Sequence, residues 1–205
     1  CSRFWIILFK TILSKLYHWK IYVVGSVEYQ YPNHLFQAGY FLDKKYYDEN
    51  TIDFKHLLLS EKNQSLLKDI QNSNSVGVHI RRGDYMTKQN LVIFGNICTQ
   101  KYYHDAIRII TEKVNDAVFY VFSDDISWVQ THLDIPNAVY VNWNTGESSI
   151  YDMYLMSSCK YNIIANSTFS YWAARLNKKT NMVIYPSKWY NTFTPDIFPE
   201  SWCGI

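Results

Sequence analysis

The sequence lacks the glycine cradles that hold nucleotide phosphates in many enzymes. None of its seven glycines builds a G-x-G-x-x-G after a strand-like run, and no G-x-x-x-x-G-K-[ST] occurs, which excludes an ordinary dinucleotide-binding dehydrogenase and a P-loop kinase. A G-x-S-x-G elbow for acyl transfer is missing as well. The four cysteines, Cys1, Cys98, Cys159 and Cys203, form no C-x-x-C pair and share no metal-ligand spacing with histidine. Neither a zinc site nor a disulfide framework is indicated, and reduced thiols are the simpler reading. The apolar run Phe4 to Phe9 stops at Lys10 and is too short to span a membrane. Trp5, Leu8, Ile12, Leu16 and Trp19 recur at helical spacing and predict an amphipathic helix, not a signal peptide, which would need a small-residue cleavage site. The chain starts with Cys1 in place of methionine, and the expectation is a sequence truncated at its front.

Charge of one sign is scarce too. The formal net charge is +2 and the lysines and arginines form no long stripe, so there is no bulk electrostatic case for nucleic acid, and any phosphate recognition must be local. With 205 residues, 48% hydrophobic and 19% charged, the chain is long enough for one large globular domain or one and a half smaller ones. The aromatic content of 18% is high; such side chains fill cores and also pack on sugar faces.

What is present centres on Val76 to Tyr85, VGVHIRRGDY. A β-branched run ends in an imidazole, two guanidinium groups, a glycine and a carboxylate, the pattern of a buried parallel strand that delivers polar groups to an open sheet edge. Adjacent arginines repel one another and call for an anion, and planar guanidinium groups grip phosphate oxygens in pairs. The alternative is an ion pair of Arg81 or Arg82 with Asp84 or another carboxylate that merely holds the loop. The embedded Arg82-Gly83-Asp84 is a three-letter match to an adhesion signal and follows a buried strand, so we read it as accidental.

Before this strand, Ile21 to Gly25 reads as a strand, Tyr31-Pro32-Asn33 as a turn and Leu66 to Ile70 as a short helical piece. The polar stretch Gln71 to Ser75 is the predicted domain boundary. A loop over Met86 to Thr99 follows the first strand, longer than a usual strand-to-helix connection and placed to fold over a ligand. Then strands and helices alternate: a helix with Tyr103, Ala106, Ile107, Ile110 and Val114 on one face, strand Val118 to Phe122, strand Ala138 to Val141, a helix with Tyr151, Tyr154 and Leu155, strand Tyr161 to Ala165, a helix with Phe169, Trp172 and Ala173, and strand Met182 to Tyr185. That alternation predicts a parallel sheet covered on both faces. Four strands each end in a polar cluster, at the edge where open parallel sheets bind ligands.

The clusters carry distinct chemistry. Ser167 or Thr168 suits a helix N-cap, and the first-turn amides of that helix with two or three hydroxyls form an anion site, or cap the helix and nothing more. Asn166-Ser167-Thr168 fits the glycosylation sequon, yet lies between a buried strand and a buried helix. Asp124 and Asp125 can bind a divalent metal or accept hydrogen bonds from a base or ribose. Adjacent residues at a strand end point apart, which favours one base contact over a two-carboxylate metal cage; a helix cap is the other reading of Asp125.

Together, His79-x-Arg81-Arg82-Gly83-Asp84-Tyr85, Phe122-Ser123-Asp124-Asp125, Asp152 to Cys159 and Ala165 to Ala174 resemble, in order and spacing, the α-1,2-fucosyltransferases of glycosyltransferase family 11. The likeness covers about Tyr31 to the C-terminus, with Gly39 to Tyr47 and Tyr102-Tyr103 as less specific segments. It implies an α/β fold of GT-B type, two Rossmann-like halves with GDP-fucose held mainly by the C-terminal one. On that basis residues 1–72 are a remnant of the acceptor-side domain and linker, and residues 73–205 the donor domain. The implied reaction moves L-fucose from GDP-fucose to a galactose-type hydroxyl with inversion, without a metal or other cofactor. By position, Arg81 binds the β-phosphate and stabilises the leaving group, with Arg82 beside it; His79 and Asp84 brace that site or touch the ribose. Asp124 and Asp125 contact guanine, and Ser167, Thr168, Phe169 and Ser170 line the diphosphate. Asp152 is read as a packing or capping residue, and no residue is assigned as general base. The implied partners are a nucleotide sugar and a glycan acceptor, not nucleic acid, and the implied place is the cytoplasm, at the membrane surface where the acceptor is lipid-linked.

Two departures from the family stand out: Tyr171 where tryptophan is more frequent, and no glycine-rich G-G-L-G-N-Q type opening. If the 205 residues are the whole protein, the expectation is a crevice with one wall and weak or no transfer by this chain alone. A transferase for another nucleotide sugar and a non-catalytic binding module are the competing readings.

Overall fold

A computed structural model of the chain describes residues 22–24, 36–38 and 52–205; the helix expected over Trp5 to Trp19 lies outside them. The chain forms two compact units, Cys1–Asp48 with Pro195–Ile197, and Glu49–Thr194 with Phe198–Ile205. In the first, β1 (Tyr22–Val24) and β2 (Phe36–Ala38) pair in parallel. β1 falls within the strand read at Ile21 to Gly25, while β2 opens an aromatic stretch for which the sequence predicts no element.

The second unit begins with α1 (Glu61–Asn72), whose N-cap Ser60 accepts a hydrogen bond from Asn63 N and whose Asn63, Leu66 and Ile70 are buried. It is longer than the predicted Leu66 to Ile70, and the polar stretch Gln71 to Ser75 is no linker: it forms the end of α1 and the start of β3 (Asn74–Ile80). Its two hydroxyls find partners inside the unit: Ser75 Oγ accepts Lys160 N–H at 3.1 Å and Ser73 Oγ lies 3.1 Å from the Tyr120 hydroxyl. Polarity marks an exposed linker only where the protein offers no internal partner.

After β3 come a 3₁₀ turn (Gly83–Met86), α2 (Lys88–Phe94), α3 (Gln100–Lys113), β4 (Ala117–Ser123), α4 (Ile126–His132), β5 (Ala138–Val141), α5 (Ser149–Ser157), β6 (Tyr161–Ile163), α6 (Thr168–Arg175), β7 (Met182–Tyr185) and β8 (Cys203–Gly204). The loop expected over Met86 to Thr99 therefore contains α2, capped by Thr87, which accepts from Asn90 N at 3.3 Å. The two-residue β8 carries no period to read, and it is placed by pairing with β7.

Six parallel strands stand in the order β5-β4-β3-β6-β7-β8. Counted from β3 this is 3-2-1-4-5-6, the doubly wound order whose ligand crevice opens outside the carboxyl ends of the two strands where the order reverses, here β3 and β6. Alternation along β4 sets the two cores: Phe119 and Val121 pack with Ile107 and Ile110 of α3 and Val129 of α4, whereas Tyr120 and Phe122 pack with Leu66 and Ile70 of α1, Leu155 and Met156 of α5, and Ala173 of α6. Burying side chains of this size contributes roughly 1.5–3 kcal/mol each, so both faces hold the strand ends in place. Part of the aromatic content forms one more packed group, Tyr171, Tyr185, Trp189, Phe198 and Trp202, with Tyr185 stacked on Phe198 at 3.9 Å.

Gly77 sits where β3 passes under α5. A Cβ there would lie 2.8 Å from Asn162 Oδ1 and 3.0 Å from Met156 Cγ. Asn162 is fully buried, and neither of its amide atoms has a hydrogen-bond partner among the described residues. Gly77→Ala is expected to lower the unfolding free energy by about 1–3 kcal/mol through overpacking. Adding Asn162→Ala should recover part of that loss by removing both the obstacle and the unsatisfied amide; urea midpoints of the two variants measure it.

Candidate functional site

The chain leaving β3 is held by the carboxylates that end β4. Arg81 Nη1 lies 2.8 Å from Asp124 Oδ2, and the other oxygen, Oδ1, accepts the Arg82 backbone N–H at 2.9 Å. Gly83 is required by this closeness: a Cβ there would collide with the Asp124 carboxylate. Arg81 Nη2 pairs with Asp84 Oδ1 at 2.6 Å. Arg82 Nε donates to Asp125 Oδ2 at 3.1 Å, and the guanidinium carbon lies over the Trp128 ring, 3.7 Å from its centroid, with His132 stacked on that indole at 4.6 Å. Asp125 also caps α4 through Trp128 N. The Arg82 bond, with help from that capping N–H, holds its carboxyl below the usual range.

Both arginines thus carry carboxylate partners, as the loop-holding alternative supposed. That does not make them unfit for phosphate: the pairs are half-exposed, and exposed ion pairs are weak beside arginine–phosphate contacts. Asp124, expected at guanine, is engaged with the arginine loop in this structure.

His79 precedes the arginines and is buried. Burial, with the Arg81 charge adding to it, pushes its pKa down to about 3, so the imidazole is neutral at physiological pH and a poor proton acceptor. Its ring packs on Phe169 at 4.9 Å, and its Nδ1 has no hydrogen-bond partner among the described residues. His79 and the first turn of α6 therefore adjoin at the switch point. Ser167 stands at the N-cap of α6 without a side-chain capping bond, and Thr168 and Phe169 open the helix half-buried. Ser170 differs from the expectation: it is fully buried, and its hydroxyl accepts Ala165 N–H at 3.2 Å and faces the Ala165 and Ser167 carbonyls, so it braces the turn.

Residues to which the sequence assigned no role in the site hold the arrangement. The Tyr103 hydroxyl donates to His79 O at 3.1 Å and the Tyr102 hydroxyl to Ile164 O at 2.6 Å, pinning the ends of β3 and β6 from α3. Buried Asn166 donates to Trp189 O at 3.0 Å and Phe94 O at 3.3 Å, while its own carbonyl accepts the Tyr85 hydroxyl at 2.9 Å. Asn191 donates from its side chain to Val92 O and Gly95 O and from its backbone to Ile93 O, fastening the end of α2. The sequence placed Asn166 in the motif Ala165 to Ala174 without a role of its own; its burial agrees with the reading that the sequon there is not modified. Cys98, near Asn166, has its thiol pushed up to about 12 by burial and stays a thiol. Among the described residues no group of three or more His, Cys, Asp or Glu side chains is arranged to hold a metal ion.

With this geometry in view, the family model for glycosyl transferase family 11 matches residues 8–205. The chain belongs to glycosyltransferase family 11. It is 35% identical over 196 residues to an alpha-1,2-colitosyltransferase of Escherichia coli, covering 88% of this chain and 63% of that protein. It is 44% identical over 122 residues to the O-antigen biosynthesis glycosyltransferase WbnK of Escherichia coli, covering 58% and 40%, and 28% identical over 163 residues to galactoside alpha-(1,2)-fucosyltransferase 2 of Pongo pygmaeus, covering 73% and 48%. The chain thus spans about two fifths to three fifths of the length of these relatives. A solved structure, the fucosyltransferase NodZ from Bradyrhizobium, aligns with a TM-score of 0.40 at 19% identity over 56% of this chain and 40% of that one.

In this family 11 chain a second polar network lies beyond the end of β5. Asp152 of α5 accepts Asn144 Nδ2 at 2.7 Å; Asn144 and Asn63 exchange amide bonds at 3.0 and 3.1 Å, and Asn63 Oδ1 also accepts Trp143 Nε1–H at 2.8 Å. The network ties α1 to the β5–α5 connection. Burial raises the Asp152 pKa to about 7, against which the Asn144 bond is the smaller effect.

Two outcomes follow. The folded state holds the Asp152 proton up to about pH 7 and the unfolded state releases it near pH 4, so stability falls as pH rises through that interval and is level above it. Asp152→Asn, which keeps the acceptor oxygen, should remove about 2–4 kcal/mol of this loss, seen as the difference between the two proteins' unfolding free energies at pH 5 and pH 8. Asn166→Ala strands the Phe94 and Trp189 carbonyls and should cost about 1–3 kcal/mol, with faster amide exchange confined to residues 85–98 and 187–191.

Proposed function

We propose that this chain is the donor-binding part of an α-1,2-fucosyltransferase of GT-B architecture. It transfers L-fucose from GDP-fucose to a galactose-type hydroxyl of a glycan, with inversion at the anomeric carbon. One observation carries the reading: His79, at the end of β3 and two residues before the Arg81 that Asp124 holds, packs on Phe169 in the first turn of α6, where the strand order reverses.

In the proposed reaction the bond from the anomeric carbon to the β-phosphate oxygen breaks and negative charge grows on that phosphate. The Arg81 guanidinium, positioned by Asp124, and the amides opening α6 stabilise the charge where it develops. Arg82, stacked on Trp128, adds a second positive charge. Neutral His79 offers a hydrogen bond without adding charge. These groups supply the positive potential that a divalent cation supplies elsewhere, so no metal enters the scheme. No residue of this chain is assigned as the general base for the acceptor hydroxyl. The reading places the protein in the cytoplasm, at a membrane surface where the acceptor is lipid-linked; among the described residues no helix is long and apolar enough to cross a membrane.

A second reading, a colitosyl donor in place of a fucosyl one, is favoured by the relative named for colitose, which matches 88% of the chain. Competition between GDP-fucose and the corresponding colitosyl nucleotide for the chain separates the two.

Calorimetric titration tests the proposal. GDP should bind in preference to UDP and ADP, equally with and without chelator, and Arg81→Ala should weaken GDP binding about 10- to 100-fold, the worth of a hydrogen bond to a charged group. The same substitution in a version carrying the front part of its relatives should cut turnover by about 10²–10³, whereas the 205-residue chain alone should transfer fucose weakly or not at all. Unchanged GDP affinity after Arg81→Ala would instead favour a non-catalytic module.

A further inference from the structure

Arg81 is gripped on both edges, by two carboxylates that are themselves held very differently. Asp124 is the more buried, with 26% of its side chain exposed; its second oxygen is occupied by Arg82 N–H, and it packs against Gly83 with no room for a Cβ. Asp84 is 57% exposed. What anchors Asp84 is its backbone: the carbonyl accepts Thr87 N–H at 3.2 Å and Asn90 Nδ2 at 2.9 Å. Among the described residues Arg81 is the hydrogen-bond partner of its carboxylate.

We infer that Asp84 is a resident anion which the donor diphosphate displaces from Arg81, so that it tunes donor affinity as an internal competitor while Asp124 stays and positions the guanidinium. The inference rests on the proposed donor site. A phosphate that binds through the Nη atoms of Arg81 competes with these two carboxylates for donors they already hold. The one that leaves is the exposed partner, whose pair with Arg81 is weak and screened by solvent, and not the one that also secures the neighbouring backbone. The 3₁₀ turn need not move, because its hydrogen bonds run through the main chain and only the Asp84 side chain must rotate. Once displaced, the carboxylate remains beside the diphosphate, and the repulsion of like charges limits how tightly GDP is retained after transfer. Asp84 and Asp124 thus act on the same arginine in opposite senses.

The test titrates the chain with GDP and, separately, with inorganic diphosphate at low ionic strength, after circular dichroism has shown each variant folded. Asp84→Asn should tighten binding of both probes about two- to ten-fold, and Asp124→Asn should weaken both. In an Arg81→Ala background Asp84→Asn should change diphosphate affinity less than about two-fold, an outcome that a general charge effect would not give. Unchanged or weaker diphosphate binding by Asp84→Asn overturns the inference, as does equal tightening with and without Arg81. If the unaltered chain binds neither probe, Asp84→Asn must uncover diphosphate binding, and its failure to do so also overturns the inference. Diphosphate binding that responds to Asp84→Asn without any preference for GDP over UDP leaves the exchange standing and removes the fucosyl-donor reading. GDP preference without a response to Asp84→Asn does the reverse.

Discussion

The Asp124 carboxylate receives one guanidinium and one backbone N–H from the chain that leaves the neighbouring strand, and the candidate site is built around that pair of contacts. Two adjacent arginines at a strand end repel each other and, left alone, would spread into solvent. A carboxylate delivered by β4 at the same level turns Arg81 back over the sheet edge, and a glycine at position 83 lets it come close enough to do so. The register of β3 with β4, in which Ile80 pairs with Ser123, is what sets that level. Two strands packed on both faces cannot slip without exposing every buried side chain they carry.

Around this contact polar groups hold the loops, beside the packing of Tyr85 and Tyr190 on Phe94. Tyr102 and Tyr103 reach from α3 to carbonyls at the ends of β6 and β3, and Asn166 and Asn191 supply donors to carbonyls that the loops would otherwise leave unpaired. Directional bonds of this kind fix position better than a greasy contact of the same area, and they cost more to break when buried. The consequence for a charged ligand is a set of donors already in place, with few groups to reorganise when it arrives.

Much of the sheet was legible beforehand because buried parallel strands have a compositional mark: Val76 to Ile80, Val118 to Phe122 and Ala138 to Val141 are apolar runs that end in polar groups, Met182 to Tyr185 is an apolar run stopped by Pro186, and each is a strand. Where a stretch shows no clear period, the reading fell short. Gln71 to Ser75, read as a domain boundary, belongs to a helix end and a strand start, and its Ser73 and Ser75 hydroxyls find partners within the unit; α2 lies in a stretch read as loop, and it buries none of its residues, so no helical period is imposed on it. Ser170 has the residue type of a ligand contact but its hydroxyl is committed to the turn behind it.

The sequence by itself determined which chemical groups gather at the strand ends and, through the order and spacing of its motifs, the family, since residue identity and spacing survive without coordinates. Only the tertiary structure decided how those groups are shared: which carboxylate holds an arginine and which merely rests on it, that His79 is neutral, and that Asp152 keeps its proton toward neutrality. Pairing, burial and the shifts in proton affinity they cause depend on distances between residues far apart in the chain, and no local pattern of residues encodes those distances.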